Sequence, residues 1–269
     1  MAASSAVLKR VNQGGWRAGL ANLLRKEANT WLRTRYGLIH LVLWIFIING
    51  LMAIIISTAG EDLDAGETVV AASIDPFVGI AAWFTSIGVA ILAMGAIVGE
   101  KSSGTAAWVL SAPVSRPAFL LSKLLVIGVG SVVTMIVIPG LLVFVEFSFI
   151  PAAAESGEVA IVPWLGALGA LSLNVLFYLG LTVFLGTFFN SRGAVIGTAI
   201  GVFMAGTLIA PVLPSVVSNL TPWALLDPLA MTLADETRSV DSIVPVFAAM
   251  AWVAIFTVAS FWRFQREEF

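Results

Sequence analysis

The sequence contains no cysteine and only one histidine, His40. Disulfides, thiolate zinc sites and iron–sulfur clusters are therefore excluded, and so is a metal site built from several histidines. Charged residues make up 11% of the chain and hydrophobic residues 59%, whereas a soluble domain is about a quarter charged. This balance predicts an integral membrane protein. We find no nucleophile–base pair and no metal-ligand set, so we expect no enzymatic activity, metal, cofactor or nucleic-acid partner for this chain.

Six apolar runs are long enough to cross the hydrocarbon core of a membrane, which takes about 20 helical residues. They cover residues 38–59, 76–99, 120–145, 162–189, 194–217 and 243–262. Pro211 and Pro214 should break the outer end of the fifth run. The first run follows a long basic segment, which predicts a retained span and not a cleavable signal peptide. The expected fold is all-α, with a six-span transmembrane domain over residues 38–262.

Lysine and arginine are segregated along the chain. With six spans, every one of them except Arg238 falls on the side that holds both termini, and most acidic residues fall on the other side. The positive-inside rule then predicts a multi-pass protein of the cytoplasmic membrane with both termini in the cytoplasm. Five or seven spans would scatter the basic residues over both sides.

Residues 16–37, "WRAGLANLLRKEANTWLRTRYG", place leucines and tryptophans at helical spacing and basic residues on the other face. This pattern predicts an amphipathic helix that lies in the cytoplasmic interface and contacts membrane lipids. The alternative is a solvated helix next to the membrane that acts only as a topology signal. Residues 1–15 are expected to be a flexible cytoplasmic tail, and residues 263–269 a short cytoplasmic tail.

The segment between spans 2 and 3, residues 98–125, reads "VGEKSSGTAAWVLSAPVSRPAFLLSKLL". It predicts a short helix over Thr105–Ser111 that Pro113 separates from the next span. Gly99 and Gly104 have the spacing of a phosphate-binding loop. The lysine that must follow the second glycine is absent, however, so we do not expect this chain to bind ATP.

This segment resembles the cytoplasmic loop of the permease subunits of type-2 ABC transporters. The matching positions are Glu100, Gly104, Thr105, Leu110, Pro113, Val114, Ser115, Arg116 and Lys123. The layout of an interfacial helix, six spans, an acidic outer segment after span 5 and a short basic-acidic tail resembles the same family over the whole chain. The terminal "RFQREEF" departs slightly, because Phe264 and Gln265 separate its two arginines.

The resemblance implies that the short helix is a coupling helix that docks on a separate ATPase subunit. ATP and Mg²⁺ would bind to that partner, and two ATPase subunits would pair with two permease copies. The implied interface residues are Glu100, Gly104, Thr105, Trp108, Leu110, Pro113, Val114, Ser115 and Arg116. Glu100 and Arg116 are expected to make charge-assisted contacts with the partner. The alternative is an ordinary loop that Arg116 and Lys123 anchor at the lipid headgroups.

Small residues recur every four positions in span 5, which allows helix backbones to approach closely. They are Gly193, Gly197, Gly201 and Ala205. This stripe predicts either packing inside one subunit or the seam of a homodimer.

Four polar residues fall within the apolar runs and should face protein or a cavity. They are Asn49, Asn174, Tyr178 and Thr182. Each could hydrogen-bond between helices or line a substrate pathway. No charged residue lies in the middle of a span, which argues against an ion-coupled carrier and favours an apolar or amphipathic substrate.

Residues 218–242 are too apolar for a free loop and predict short helices that re-enter the outer leaflet between spans 5 and 6. The leading hypothesis is the non-catalytic membrane subunit of an ATP-driven exporter. Two alternatives stay open: a subunit that transmits ATP-driven motion across the membrane without moving cargo, and a secondary carrier that works alone.

Overall fold

The structure is a computed structural model that describes residues 15–59, 69–149, 161–226 and 243–268. Every regular element in these ranges is helical, and six helices are long and apolar enough to cross a membrane, as expected of a multi-pass membrane protein. The six candidate spans are Arg35–Thr58, Pro76–Ser102, Arg116–Phe147, Trp164–Phe188, Arg192–Val212 and Val244–Gln265. The number of spans predicted from the sequence is therefore confirmed. The expected tail at residues 1–14 and most of the outer segment, residues 227–242, lie outside the described ranges.

We number the α-helices in chain order. They are α1 (Leu20–Arg33), α2 (Arg35–Ala59), α3 (Val69–Ala93), α4 (Val98–Ser102), α5 (Thr105–Ser111), α6 (Arg116–Ser131), α7 (Ile138–Ser148), α8 (Ile161–Phe188), α9 (Arg192–Ile209), α10 (Ser215–Ser218) and α11 (Val244–Gln265). A π-helical turn, Val132–Val137, joins α6 to α7, and 3-10 turns occupy Ala210–Val212 and Pro222–Leu226.

Two spans begin earlier in the sequence than their apolar runs, because a serine caps each helix. Ser115 and Ser191 lie at the N-caps of α6 and α9, and their hydroxyl oxygens accept hydrogen bonds from backbone amides three residues on, each at 3.2 Å. Such caps satisfy amides that have no partner within the helix. The first turns of both helices therefore include an arginine, Arg116 or Arg192, that hydropathy alone assigns to the loops. At the other end of α9, Pro211 and Pro214 end the helix as expected.

Helix α8 lies at the centre of the bundle and packs against α3 and α11. Its Trp164 is fully buried, stacks on Phe77 with 4.5 Å between the ring centroids, and donates from Nε1 to the Gly140 carbonyl at 3.0 Å. The bond satisfies the indole N–H, which would be costly to leave unpaired in an apolar interior. These contacts join α3, α7 and α8 at one end of the bundle.

A hydrogen-bonded chain joins α2 to the irregular part of span 3. Trp44 Nε1 donates to His40 Nε2 at 3.1 Å, and His40 Nδ1 lies 2.9 Å from Thr134 Oγ1. Since Nε2 accepts, Nδ1 carries the proton and donates to the threonine. Thr134 in turn donates to the Gly130 carbonyl at 2.7 Å. The only histidine of the chain is therefore a neutral link between two spans.

The segment after span 5 folds back on the bundle. The Trp223 ring lies so close to Gly206 that a Cβ there would collide with it, and its Nε1 donates to Tyr178 Oη at 3.1 Å. Trp252 Nε1 donates to the Leu220 carbonyl at 3.0 Å. The described part of this segment is therefore held by α8, α9 and α11.

Candidate functional site

The turn between α4 and α5 depends on one glycine. Gly104 has φ of 72° and ψ of 0° and lies at the N-cap of α5. An L-residue adopts this left-handed conformation only at a cost of about 1 kcal/mol or more, so glycine is the favoured residue. Helix α5 then runs over Thr105–Ser111, the residues expected from the sequence.

Helix α5 presents one large apolar side chain to the outside. Ala106 is buried, and Val109 and Leu110 are half-buried against the core, whereas the Trp108 side chain is 76% exposed. A groove of about 420 Å³ separates α5 from α1 beside this tryptophan. It is lined by Asn22, Leu23, Lys26, Thr105, Trp108, Val109, Ser111, Ala112 and Val114. The outer face of α5 is therefore an exposed indole next to a cleft.

The residues after α5 fasten this helix to the start of α1. The backbone N–H of Ser115 donates to the Ala18 carbonyl at 3.0 Å, and the Ser115 hydroxyl donates to the Trp16 carbonyl. Val114 packs directly over Gly19, where a Cβ would lie 2.7 Å from its Cγ2. Val114 and Ser115, which the resemblance assigns to the partner interface, are thus engaged with their own chain, and Pro113 is exposed.

A buried lysine joins three helices at the same end of the bundle. The Lys123 side chain on α6 is 5% exposed, and its Nζ lies 2.7 Å from Glu100 Oε1 on α4 and 3.2 Å from Glu27 Oε1 on α1. Lys26, which is 53% exposed, lies 3.8–3.9 Å from the same two oxygens. We call Glu27, Glu100 and Lys123 the lysine cluster. It neutralises a cation that would otherwise be costly to bury.

Arg116 caps the C-terminal end of the sixth span, α11. Its Nη1 donates to the carbonyls of Phe264, Gln265 and Glu267 at 3.3, 2.7 and 2.6 Å. The guanidinium therefore adds hydrogen bonds to carbonyls at the C-terminal end of α11, where a cation is also favoured by the helix dipole. Phe264 is buried and stacks on Phe119 of α6 at 5.5 Å. The residues up to Glu267 are consequently part of the folded bundle.

A second ion-pair group lies beside this cap. Lys101 Nζ of α4 contacts Glu267 Oε1 at 2.7 Å, and Arg263 Nη1 contacts Glu267 Oε2 at 2.9 Å. Lys101 Nζ also donates to the Thr187 carbonyl at the end of α8, at 3.4 Å. We call Lys101, Arg263 and Glu267 the terminal cluster. Because Glu100 and Lys101 are neighbours on α4, the two clusters meet at this helix.

The charged residues therefore face inward more than the sequence predicts. Glu100 and Arg116 were expected to contact a partner, but in the structure Glu100 pairs with Lys123 and Arg116 binds backbone carbonyls. Sequence reasoning missed Glu27 and Glu267 as their neighbours. The available signal was Lys123 itself, because a lysine inside an apolar helix requires a carboxylate nearby.

The polar residues of the spans bond within the bundle. Asn174 Nδ2 donates to Ser86 Oγ at 2.9 Å, Thr182 Oγ1 donates to the Tyr178 carbonyl at 2.6 Å, and all of these residues are buried. Asn49 Nδ2 donates to the Ile45 carbonyl at 3.2 Å. These contacts favour the interhelical role of Asn174 and Tyr178, the latter through its bond to Trp223.

The small-residue stripe of α9 lies on the outer surface of the chain. Gly193, Gly197, Gly201 and Ala205 are all exposed, and a Cβ at any of the three glycines would meet nothing within 4 Å. Among the described residues, therefore, nothing packs against the stripe. Within the described ranges no group of three or more histidines and carboxylates could hold a metal ion.

Six candidate spans define a helical multi-pass membrane protein, and most charged residues of the described ranges lie at one end of the bundle. Residues 68–269 match the family DUF2705, described as a protein of unknown function. The chain belongs to this family. No curated protein matches it.

Proposed function

We propose that this chain is the membrane subunit of an ATP-driven exporter and that α5 is its coupling helix. The main observation in support is the exposed indole of Trp108, which lies beside a groove. The short helix that carries it is fixed at the charged end of the bundle. The chain itself is non-catalytic, and a separate ATPase subunit binds ATP and Mg²⁺. The cargo is apolar or amphipathic, since no charged residue lies in mid-span.

The exposed tryptophan supports docking of another protein. Tryptophan is enriched among the residues that carry most of the binding energy of an interface, and such residues fill pockets on the partner. Trp108 protrudes from α5, while the adjacent groove, with Lys26 at its edge, offers space for a partner side chain. A ridge next to a cleft gives a partner two complementary features to bind.

The lysine cluster supports the transmission of motion. A push on α5 acts on α4 through the Gly104 turn, and α4 is bound through Glu100 to Lys123 on α6 and Glu27 on α1. Ser115 attaches the other end of α5 to α1. Because ion pairs and hydrogen bonds hold both ends, movement of α5 is passed to span 3 and to α1 and is not absorbed by a loose loop.

The positive-inside rule supports a cytoplasmic location for this end, since it carries the lysines and arginines of the described residues. On this topology α1 is an amphipathic helix of the cytoplasmic interface. The segment that begins at Ser215 is re-entrant on the outer side. The chain is a multi-pass protein of the cytoplasmic membrane with both termini inside.

The exposed stripe on α9 supports pairing with a second copy. Small residues allow close approach of two helices in a bilayer, where backbone contact and dispersion replace the hydrophobic effect. In the proposed assembly two copies meet along Gly193, Gly197, Gly201 and Ala205, and each binds one ATPase subunit.

The test uses the chain co-expressed with an ATPase subunit that carries Walker motifs and is encoded next to it. Trp108→Ala should weaken binding of the ATPase by roughly 30-fold, the effect of losing about 2 kcal/mol at an interface. The matched control is Trp262→Ala, which removes another exposed indole near the same end of the bundle. In nanodiscs, the unchanged chain and Trp262→Ala should alter the rate at which the ATPase hydrolyses ATP. Trp108→Ala should leave that rate as it is without the membrane subunit.

Two results would contradict the proposal. One is equal binding of the ATPase by both tryptophan variants. The other is movement of solute by the purified chain alone in proteoliposomes, which would assign it to the secondary carriers. If hydrolysis depends on Trp108 but no lipid-soluble cargo moves, the chain transmits motion only.

A further inference from the structure

An apolar groove of about 670 Å³ opens between α1, the first turns of α2 and span 3. This volume falls within the range of about 300–1,000 Å³ that is typical of small-molecule sites. Its walls include Leu24, Trp31, Leu38, Val129, Val133 and Ile138. Because α2 and α6 are parts of candidate spans, the groove faces the region that lipid occupies.

The wall of the groove is mainly apolar. Trp31 packs edge-on against Tyr36 and His40, with centroid distances of 5.6 and 5.3 Å. His40 and Thr134 are hydrogen-bonded to each other, and their other polar atoms bond to Trp44 and to the Gly130 carbonyl. An apolar cavity of this kind stays dry and favours hydrocarbon.

Uncompensated positive charge lies at one end of the groove. Thr34, a lining residue, is flanked by Arg33 and Arg35, and both arginines are exposed. Within the described residues neither arginine makes an ion pair, whereas Lys123, Lys101 and Arg263 are all paired. An apolar slot with a basic rim matches a ligand that joins a hydrocarbon chain to an anionic group.

We propose that this groove is a specific site for an anionic membrane phospholipid. One acyl chain lies along span 3 between Trp31 and Val129, and the phosphate lies against Arg33 and Arg35 at the membrane surface. The π-helical turn, Val132–Val137, contributes to the wall, and such turns are frequent at functional sites. The occupant is a lipid and not a protein helix, because the basic rim requires an anion at the end of the hydrocarbon.

The site has a direct consequence for the charged end. The bound lipid wedges α1 against α2 and span 3, and Glu27 of α1 belongs to the lysine cluster. The occupancy of the groove therefore sets the position of α1 relative to α4 and α5. Membrane composition would control the charged end through this contact.

The test uses the full chain in nanodiscs that contain a phosphatidylglycerol with a photoactivatable diazirine in one acyl chain. Labelled peptides are identified by mass spectrometry, and the same experiment is run with the phosphatidylcholine analogue. We expect residues 125–138 to be labelled at least threefold more by the anionic lipid. The double variant Arg33→Gln/Arg35→Gln should remove that preference, whereas Arg17→Gln/Arg266→Gln, which removes two other exposed arginines, should keep it.

A second variant blocks the groove. Val129 is 63% exposed and lines it, so Val129→Trp fills the slot without altering the core. Labelling of residues 125–138 should fall several-fold, while the control Val258→Trp on the exposed face of α11 leaves it unchanged. Equal labelling by the two lipids, or labelling that Val129→Trp does not reduce, overturns the proposal.

A second copy of the chain is the competing occupant. Because the chain has no cysteine, Val129→Cys introduces a single thiol. Efficient disulfide cross-linking between two chains through this position would assign the groove to a protein interface and overturn the lipid site. None of these measurements needs the ATPase, so the lipid site can fail while the proposed export function stands, or the reverse.

Discussion

Replacement of Lys123 by methionine tests whether the lysine cluster holds the charged end together. The substitution keeps the length of the side chain and removes the cation that lies 2.7 Å from Glu100 and 3.2 Å from Glu27. Removal of one partner from a buried ion pair costs about 3–5 kcal/mol. Both carboxylates retain nearly a fifth of their exposed surface, and water relieves part of this cost. We therefore expect the free energy of unfolding to fall by about 2–3 kcal/mol.

Two further variants separate burial from charge. Lys26→Met removes a cation that faces the same two carboxylates but is 53% exposed and 3.8–3.9 Å away, so it should cost less than about 0.5 kcal/mol. The triple variant Lys123→Met/Glu27→Gln/Glu100→Gln leaves only Lys26 without a carboxylate, and this lysine is 53% exposed. The triple variant should recover most of the stability that Lys123→Met loses, since the penalty arises from carboxylates left without a cation.

The assay is thermal unfolding of the purified chain in nanodiscs, followed by tryptophan fluorescence. A loss of about 2–3 kcal/mol corresponds to a decrease of roughly 4–12 °C in Tm, by the scaling for domains of this size. If Lys123→Met and Lys26→Met shift Tm equally, burial of the cation has no energetic role. If the triple variant is no more stable than Lys123→Met, uncompensated carboxylates do not explain the loss, and the reasoning is wrong.

Three other substitutions probe separate contacts. Arg116→Gln should speed trimming of the residues after α11 by carboxypeptidase about tenfold or more, because loss of a charged hydrogen-bond donor costs about 1.5–3 kcal/mol. Unchanged trimming would show that Arg116 does not hold the end of α11. Gly206→Leu should destabilise by about 1–3 kcal/mol through overpacking against Trp223, and Trp223→Ala should relieve part of this in thermal unfolding; additive losses would contradict the contact. Gly197→Leu should leave Tm unchanged but lower the dimer fraction measured by cross-linking. Gly169→Leu, which changes another exposed glycine, should alter neither quantity. An intact dimer in Gly197→Leu would exclude the dimer contact along α9.

The spans were predictable because the requirement for about 20 apolar residues is local and strong. The ends of the spans were harder to predict. The run that begins at residue 120 becomes a helix from Arg116, because Ser115 caps it, and the run that begins at 194 becomes a helix from Arg192. Hydropathy registers the arginine as a boundary, but capping decides where hydrogen bonding begins. The π-helical turn at Val132–Val137 has no sequence signal that we can identify.

The short helix α5 was predictable from its flanking Gly104 and Pro113, whose backbone preferences are local. Its charged neighbours were not. The pairing of Glu100 with Lys123 and of Arg116 with the end of α11 depends on contacts over long sequence separations. Charge pattern alone places such residues at the surface, and only the packing of the spans shows that they face one another.

The two clusters at the charged end are completed at different times during synthesis. Lys123 follows both of its carboxylates along the chain, so the lysine cluster has all its members once span 3 has emerged. Lys101 has its carboxylate only once Glu267, which follows the sixth span, has been made. Until then the Lys101 ammonium, which is 11% exposed in the folded bundle, lacks the carboxylate that pairs with it. The terminal cluster therefore forms only after all six spans have been synthesised.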